Sequence, residues 1–273
     1  LYSDTKRYDE SKRMYKAAVE IRKRLADANP QAYEPRLADS YNNLANLYYN
    51  TQHFTESEMM YKSALEIRKR LTDTNPQAYE PDLAQSYNNL ANLYSDIRRL
   101  TESEKMHKEA LEIRKRLADA NPQAYEPNLA ASYNNLAVLY SDTQRFTESE
   151  QMYKDALDIY KRLADANPQV YEPNLVTSYH NLAILYYDTQ RYVESEQMYK
   201  AAIAIYERLY EGAPQRYQSR LAVDYFYYGM SMIMNDKSHD AIAPFERSLK
   251  LCKDMLNDET DKSLYISNLA CLV

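Results

Sequence analysis

The sequence predicts an all-α fold, a solenoid of stacked helical hairpins, on three observations. Nearly the same residues return every 46 positions: Leu37, Leu83, Leu129, Leu175 and Leu221 hold one column, and Tyr41, Tyr87, Tyr133, Tyr179 and Tyr225 another. Within each unit the apolar residues fall at helical spacing. Only two glycines, Gly212 and Gly229, occur in 273 residues, which argues against strand-rich folds and glycine-dependent phosphate loops. Short helical units cannot each bury a core alone, so they stack on their neighbours and present one long periodic surface.

Residues 35 to 73 give the elements in order. Leu37, Tyr41, Leu44, Ala45 and Tyr48 form one face of a helix of about four turns, helix A. Pro35 is placed as its first residue, because a helix start leaves that N–H unpaired and the fixed φ suits entry. Pro81, Pro127 and Pro173 recur in register. After a turn at Gln52 and His53, Thr55 offers an N-cap hydroxyl with Glu58 three residues on. Tyr61, Ala64, Leu65 and Leu71 then continue the stripe of a longer helix B. Asn75-Pro76-Gln77 ends helix B, since the residue before proline is pushed out of the α region. Ala45, Ala91, Ala137, Ala183 and Gly229 form a column in helix A, and Ala64, Ala110, Ala156 and Ala202 one in helix B. Side chains that small at one place in every unit permit close helix crossing.

The organisation read from this spacing is a partial unit over 1–34, close copies over 35–80, 81–126, 127–172 and 173–218, and a diverged unit over 219–260. In 261–273, Ile266, Leu269 and Ala270 suggest the start of a further helix or a cap. Leu1 to Thr5 repeat Leu139 to Thr143, which lie inside a unit, so the chain is expected to begin within a longer array.

Composition narrows the function classes. A net charge of −6 lacks the basic excess on which phosphate neutralisation depends, so nucleic acid is not an expected partner. Cys252 and Cys271 form no CxxC or Cys/His cluster, which argues against structural zinc and a disulfide framework. No apolar run reaches the length of a membrane span, no signal peptide is present, and a cytoplasmic setting is expected. No nucleophile motif, HExxH, Walker loop or dinucleotide fingerprint occurs. His53, His107, His180 and His239 are too scattered for a metal set, and His107 stands in a packing column held elsewhere by Tyr61 and Tyr153. The expectation is no enzyme, no cofactor and no metal.

The pattern Tyr-x-x-Leu-Ala-x-x-Tyr, an aromatic at Phe54, Phe146 or Tyr192, then Tyr-x-x-Ala-Leu as in Tyr61 to Leu65, resembles the tetratricopeptide repeat. The Asn-Asn-Leu-Ala core and the Ala-Leu-Glu-Ile-Arg run are most similar to the longer repeats of kinesin light chains and of many bacterial proteins. Tyr41 stands where the general family often has tryptophan, Ala45 where it often has glycine, and a stretch such as Asp73 to Pro81 lengthens each unit. The resemblance implies a right-handed superhelix of antiparallel helix pairs with a concave groove lined by one side of helix A, and a protein or peptide as partner.

On that side lies a ladder of carboxamides: Asn42, Asn43 and Asn46; Asn88, Asn89 and Asn92; Asn134 and Asn135; then His180 and Asn181. A carboxamide both donates and accepts, so such a row can pair with the backbone of an extended peptide, as the resemblance also implies. The competing reading is that the amides bridge neighbouring helices. Relatives that clamp a terminal carboxylate use lysine and arginine there, whereas this face supplies Asp39, Asp96, Asp142 and Asp188, which suits a neutral or basic partner. The simpler account of the last three is pairing with Arg99, Arg145 and Arg191 in the turn. Near the diverged unit, Phe226, Tyr227, Met230, Ile233 and Met234 form an apolar stripe that suits either a hydrophobic pocket or a cap. The runs Arg22-Lys23-Arg24, Arg68-Lys69-Arg70 and Arg114-Lys115-Arg116 read as bases complementing the helix B dipole.

These features predict an interaction module that binds an extended peptide or partner segment. The alternatives are a regulatory arm of a larger enzyme or ATPase, and a scaffold that associates end to end.

Overall fold

The computed structural model describes the backbone of residues 2–257 and the side chains of residues 7–255. The expected helix or cap at 261–273 lies outside the described residues. Eleven helices and no strands occur among those described: α1 (Tyr2–Ala28), α2 (Pro30–Asn50), α3 (Phe54–Thr74), α4 (Pro76–Asp96), α5 (Leu100–Ala120), α6 (Pro122–Asp142), α7 (Phe146–Ala166), α8 (Pro168–Asp188), α9 (Tyr192–Gly212), α10 (Pro214–Met234) and α11 (Ile242–Asn257). They fall into two compact units that divide between Leu139 and Tyr140, within α6. In each unit consecutive helices pack on one another, the arrangement of an α-α solenoid.

Two 21-residue helices, a three-residue turn and a one-residue link make the period. The two helices of a pair are therefore equal, about six turns each, rather than a short A and a longer B. Pro35 is not the first residue of its helix but lies inside it, as Pro81, Pro127 and Pro173 do in theirs. Helix A begins five residues earlier, at Pro30, Pro76, Pro122 and Pro168. Asn29, Asn75 and Asn121 cap it, each side chain accepting from the N–H three residues on at 3.3 Å. One asparagine thus closes a B helix and opens the next A helix, so the added stretch that lengthens each unit is itself helical. The internal proline is tolerated because the carbonyl it leaves unmatched belongs to an exposed residue, Gln31 in α2, where water can satisfy it.

Helix B begins at Phe54, with His53 at the N-cap and no side-chain cap, so Thr55 and Glu58 do not form a capping box. The turn before it places Gln52, Arg98, Gln144, Gln190 and Asp236 in the left-handed region, φ 58 to 61°. Burial follows the small-residue columns. Ala45, Ala91, Ala137 and Ala183 in the A helices and Ala64, Ala110, Ala156 and Ala202 in the B helices are wholly inaccessible. Beside them runs a serine column that sequence reading passed over. Ser57, Ser103 and Ser195 are fully buried and donate to the carbonyls of Ala45, Ala91 and Ala183 at 2.9 to 3.0 Å, tying the two helices of a hairpin together.

Candidate functional site: the amide face and its supports

Three recurring polar clasps hold successive hairpins in register and decide which polar groups remain for a partner. The first is interior. Arg68 is buried and donates to the Asp82 carbonyl (3.2 Å), the Ser86 hydroxyl (2.7 Å) and the Asp39 carboxylate (2.9 Å). Arg114, also buried, repeats this with the Asn128 carbonyl, Ser132 and Gln85. Neither arginine is a helix-end charge; the last turns of α3 and α5 hold no base at all. A guanidinium's planar fork can meet three acceptors on two different helices, which explains why arginine occupies an interior site.

The second clasp uses the residue first read as a cap partner. Glu58 accepts from Arg99 (2.9 Å), Lys62 (2.7 Å) and Tyr94 (3.0 Å). In the second unit Glu150 does so from Arg191, Lys154 and Tyr186. Burial alone would raise the Glu150 carboxyl, but hydrogen bonds from Arg191, Lys154 and Tyr186 outweigh it and hold the group at about 2. Arg99 and Arg191 also lie over the Tyr94 and Tyr186 rings, 4.3 Å from the centroids, and each pairs with a second glutamate, Glu102 or Glu194. The ion pairs of these turn arginines therefore go to glutamates of helix B and not to Asp96 and Asp188, the simpler account given above. Asp96 accepts instead from the Tyr49 hydroxyl, which burial, with Asp96, pushes up to about 12.

The third clasp lies among the amides. Asn89 donates to Asn42 at 2.9 Å and Asn135 to Asn88 at 2.8 Å, each joining two successive A helices. Asn89 also accepts from Gln85, and Asn46 from Tyr61 at 2.5 Å. Asn88 is buried; Asn43 is exposed. The carboxamides of Asn43 and Asn92 make no hydrogen bond among the described residues. The structure thus divides these amides into bridging ones (Asn42, Asn88, Asn89, Asn135), a packing one (Asn46) and two left unengaged among the described residues, Asn43 and Asn92.

In the second unit the Asn42 column carries His180. Its Nδ1 meets Asp224, wholly buried on α10, at 2.5 Å, and burial pushes that carboxyl up against the opposing pull of His180. Asp224 stands where other repeats have buried Ser40, Ser86 and Ser178, and the arginine column that serves those serines in α1 and α3 holds Tyr206 here. The histidine meets Asp224 where earlier repeats use the arginine fork, and Arg220 pulls the carboxyl in the same direction. The fully buried Tyr199 hydroxyl has no hydrogen-bond partner among the described residues; at Asn46's place in this repeat stands Ile184. Along the apolar stripe, Phe226 packs on Phe245 of α11 at 5.7 Å, and a Cβ on Gly229 would meet that ring at 2.9 Å. Ile233 and Met234 remain exposed. Among the described residues no cluster of three metal-ligating side chains occurs, and no helix is long and apolar enough to cross a membrane.

A family model described as tetratricopeptide repeat matches residues 36–116 and 82–162, and a second such model matches 1–31 and 175–213. No curated protein sequence matches significantly. Among solved structures, the chain is similar to BtubC (BKLC) from P. vanneervenii at 24% identity and TM-score 0.73, over 92% of each chain. It is also similar to the nearly identical repeats of a kinesin-light-chain-type protein from Podospora anserina (17% identity, TM-score 0.61, 83% of this chain and 98% of that one). A third likeness is to a STAND protein with a tetratricopeptide repeat sensor from Pyrococcus horikoshii, at 19% identity and TM-score 0.63, over 93% of this chain but 35% of that one. Repeats of this kind form protein-interaction modules. The chain belongs to the tetratricopeptide repeat family, in the long kinesin-light-chain-like form of the repeat.

Proposed function

We propose that the amide face of the A helices binds an extended peptide of neutral to basic character. The observation that carries this is the distribution of charge. Helices α4, α6 and α8 contain no lysine or arginine, and each ends in an aspartate, Asp96, Asp142 or Asp188. An acid at a helix C-terminus opposes the macrodipole, and Arg99 and Arg191, the bases nearest Asp96 and Asp188 in sequence, are committed to glutamates. Such acids are poor for the helix and good for a cationic ligand. Asn43 and Asn92 supply the donor and acceptor pairs that a peptide backbone needs.

Fluorescence polarisation with acetylated, amidated peptide pools of net charge +3, 0 and −3 tests this. The basic pool should bind best, and Asn43→Ala/Asn92→Ala should weaken it about tenfold with the melting temperature unchanged, each lost hydrogen bond contributing about 0.5 to 1.5 kcal/mol. Preference for the acidic pool would refute it.

An arm of a larger ATPase, as in the Pyrococcus horikoshii sensor protein, rests on likeness of fold alone.

A further inference from the structure

In the second unit three tyrosines meet on the amide side of the fold. The Tyr187 ring lies 5.6 Å from Tyr192 at 69° and 6.0 Å from Tyr227 at 75°, so two rings stand nearly upright against a third. The wall is firmly backed: Tyr227 stacks on buried Tyr199 at 6.2 Å and 12°, and meets Phe226 edge-on at 5.4 Å. All three rings are half-buried, and none of their hydroxyls makes a hydrogen bond among the described residues. Asp188, next to Tyr187 in the chain, is exposed, forms no ion pair among the described residues, and its charge acts on both Tyr187 and Tyr199.

The other repeats do not assemble this corner. At the same places around Tyr49 stand Phe54 and Asn89, and the Tyr49 hydroxyl is already committed to Asp96. In the two repeats between, serine replaces the central tyrosine, at Ser95 and Ser141. Tyrosine faces carry negative quadrupole potential, and with the Asp188 carboxylate next to Tyr187 in the chain this corner suits a flat or soft cation.

We propose that Tyr187, Tyr192, Tyr227 and Asp188 form a box that takes a cationic side chain, an arginine guanidinium before all, from the bound segment. This deepens the peptide-binding reading by naming the side chain recognised and its place, and the test separates the two. Butylguanidinium and its neutral isostere butylurea are titrated into isotopically labelled protein, and the tyrosine ring signals are followed by NMR. Alongside, an acetylated Gly-Ser-Arg-Ser-Gly amide is compared with its citrulline counterpart by polarisation. The cation should shift the Tyr187, Tyr192 and Tyr227 signals and bind about two- to fivefold more tightly than the urea, the ratio expected for an exposed cation–π contact. Tyr187→Leu, which keeps apolar volume, and Asp188→Asn, which keeps shape, should each remove that preference with melting unchanged. Equal shifts from guanidinium and urea, or a preference surviving both variants, would overturn the box whatever the peptides do. Ring shifts with the cation, but no peptide binding at any charge, would uphold the box and overturn the peptide-binding reading.

Discussion

Arg68→Ala should lose about 3 kcal/mol or more of stability, read as a lower urea midpoint. The truncation takes a donor from the Ser86 hydroxyl and the Asp39 carboxylate, removes charged hydrogen bonds worth about 1.5 to 3 kcal/mol each, and opens a cavity between three helices. Arg68→Tyr should cost clearly less. Tyr160 and Tyr206 occupy the same column in later repeats and are buried there, and where Tyr160 stands, Ser178 turns to its own helix and donates to the Asn174 carbonyl at 3.2 Å. A tyrosine thus fills the volume while the serine finds a local acceptor. If Arg68→Ala and Arg68→Tyr melted alike and near wild type, the clasp would be a surface ornament and its burial irrelevant.

His107 makes unit 1 sensitive to acid. It is 3% exposed, and burial, with Arg114 nearby, pushes its imidazole down to about 4 from an ordinary value near 6.5. In the unfolded chain the ring takes a proton below about 6.5, whereas the folded chain resists protonation until about 4. The stability is therefore fully present above pH 6.5 and is lost as pH falls through that window, by about 3 kcal/mol across it. His107→Tyr should abolish this dependence. Tyr61 fills the same column one repeat earlier and donates to Asn46, and Asn92 waits at the matching place for a tyrosine at 107. Urea denaturation of both proteins between pH 7 and pH 4 checks it. Parallel slopes for wild type and His107→Tyr would show that the acid response lies elsewhere.

Much of the fold was legible because burial in a repeat is written in columns. The alanine columns and most of the leucine columns mark interior positions, since a small side chain recurring at one place can only mean a close crossing. The helix boundaries were less legible. Pro35 and Asn29-Pro30 both carry start signals, and the choice turns on whether the link can shrink to one residue that caps two helices at once. At Glu58 the error was of partner. A carboxylate four residues into a helix looks like a device of that helix, yet its partner Arg99 is 41 residues away.

The candidate site was legible as a face and illegible as a set of contacts. Its asparagines, its acids and the change of character at Phe226 and Tyr227 are all written in the chain. Which amides are engaged with each other, which arginines are committed to glutamates, and which tyrosines meet at a corner are not.

By itself, the sequence determined the helical hairpin, its period and the side each residue turns inward, because those follow from the spacing of apolar and small side chains along one helix. The tertiary structure alone decided that Asn89 reaches Asn42, that Arg68 crosses to Ser86 and that His180 answers Asp224. Hydrogen bonds and ion pairs act over about 3 Å and demand direction, so they depend on the offset and rotation between neighbouring hairpins. A one-dimensional pattern carries the period of that arrangement but not its angles.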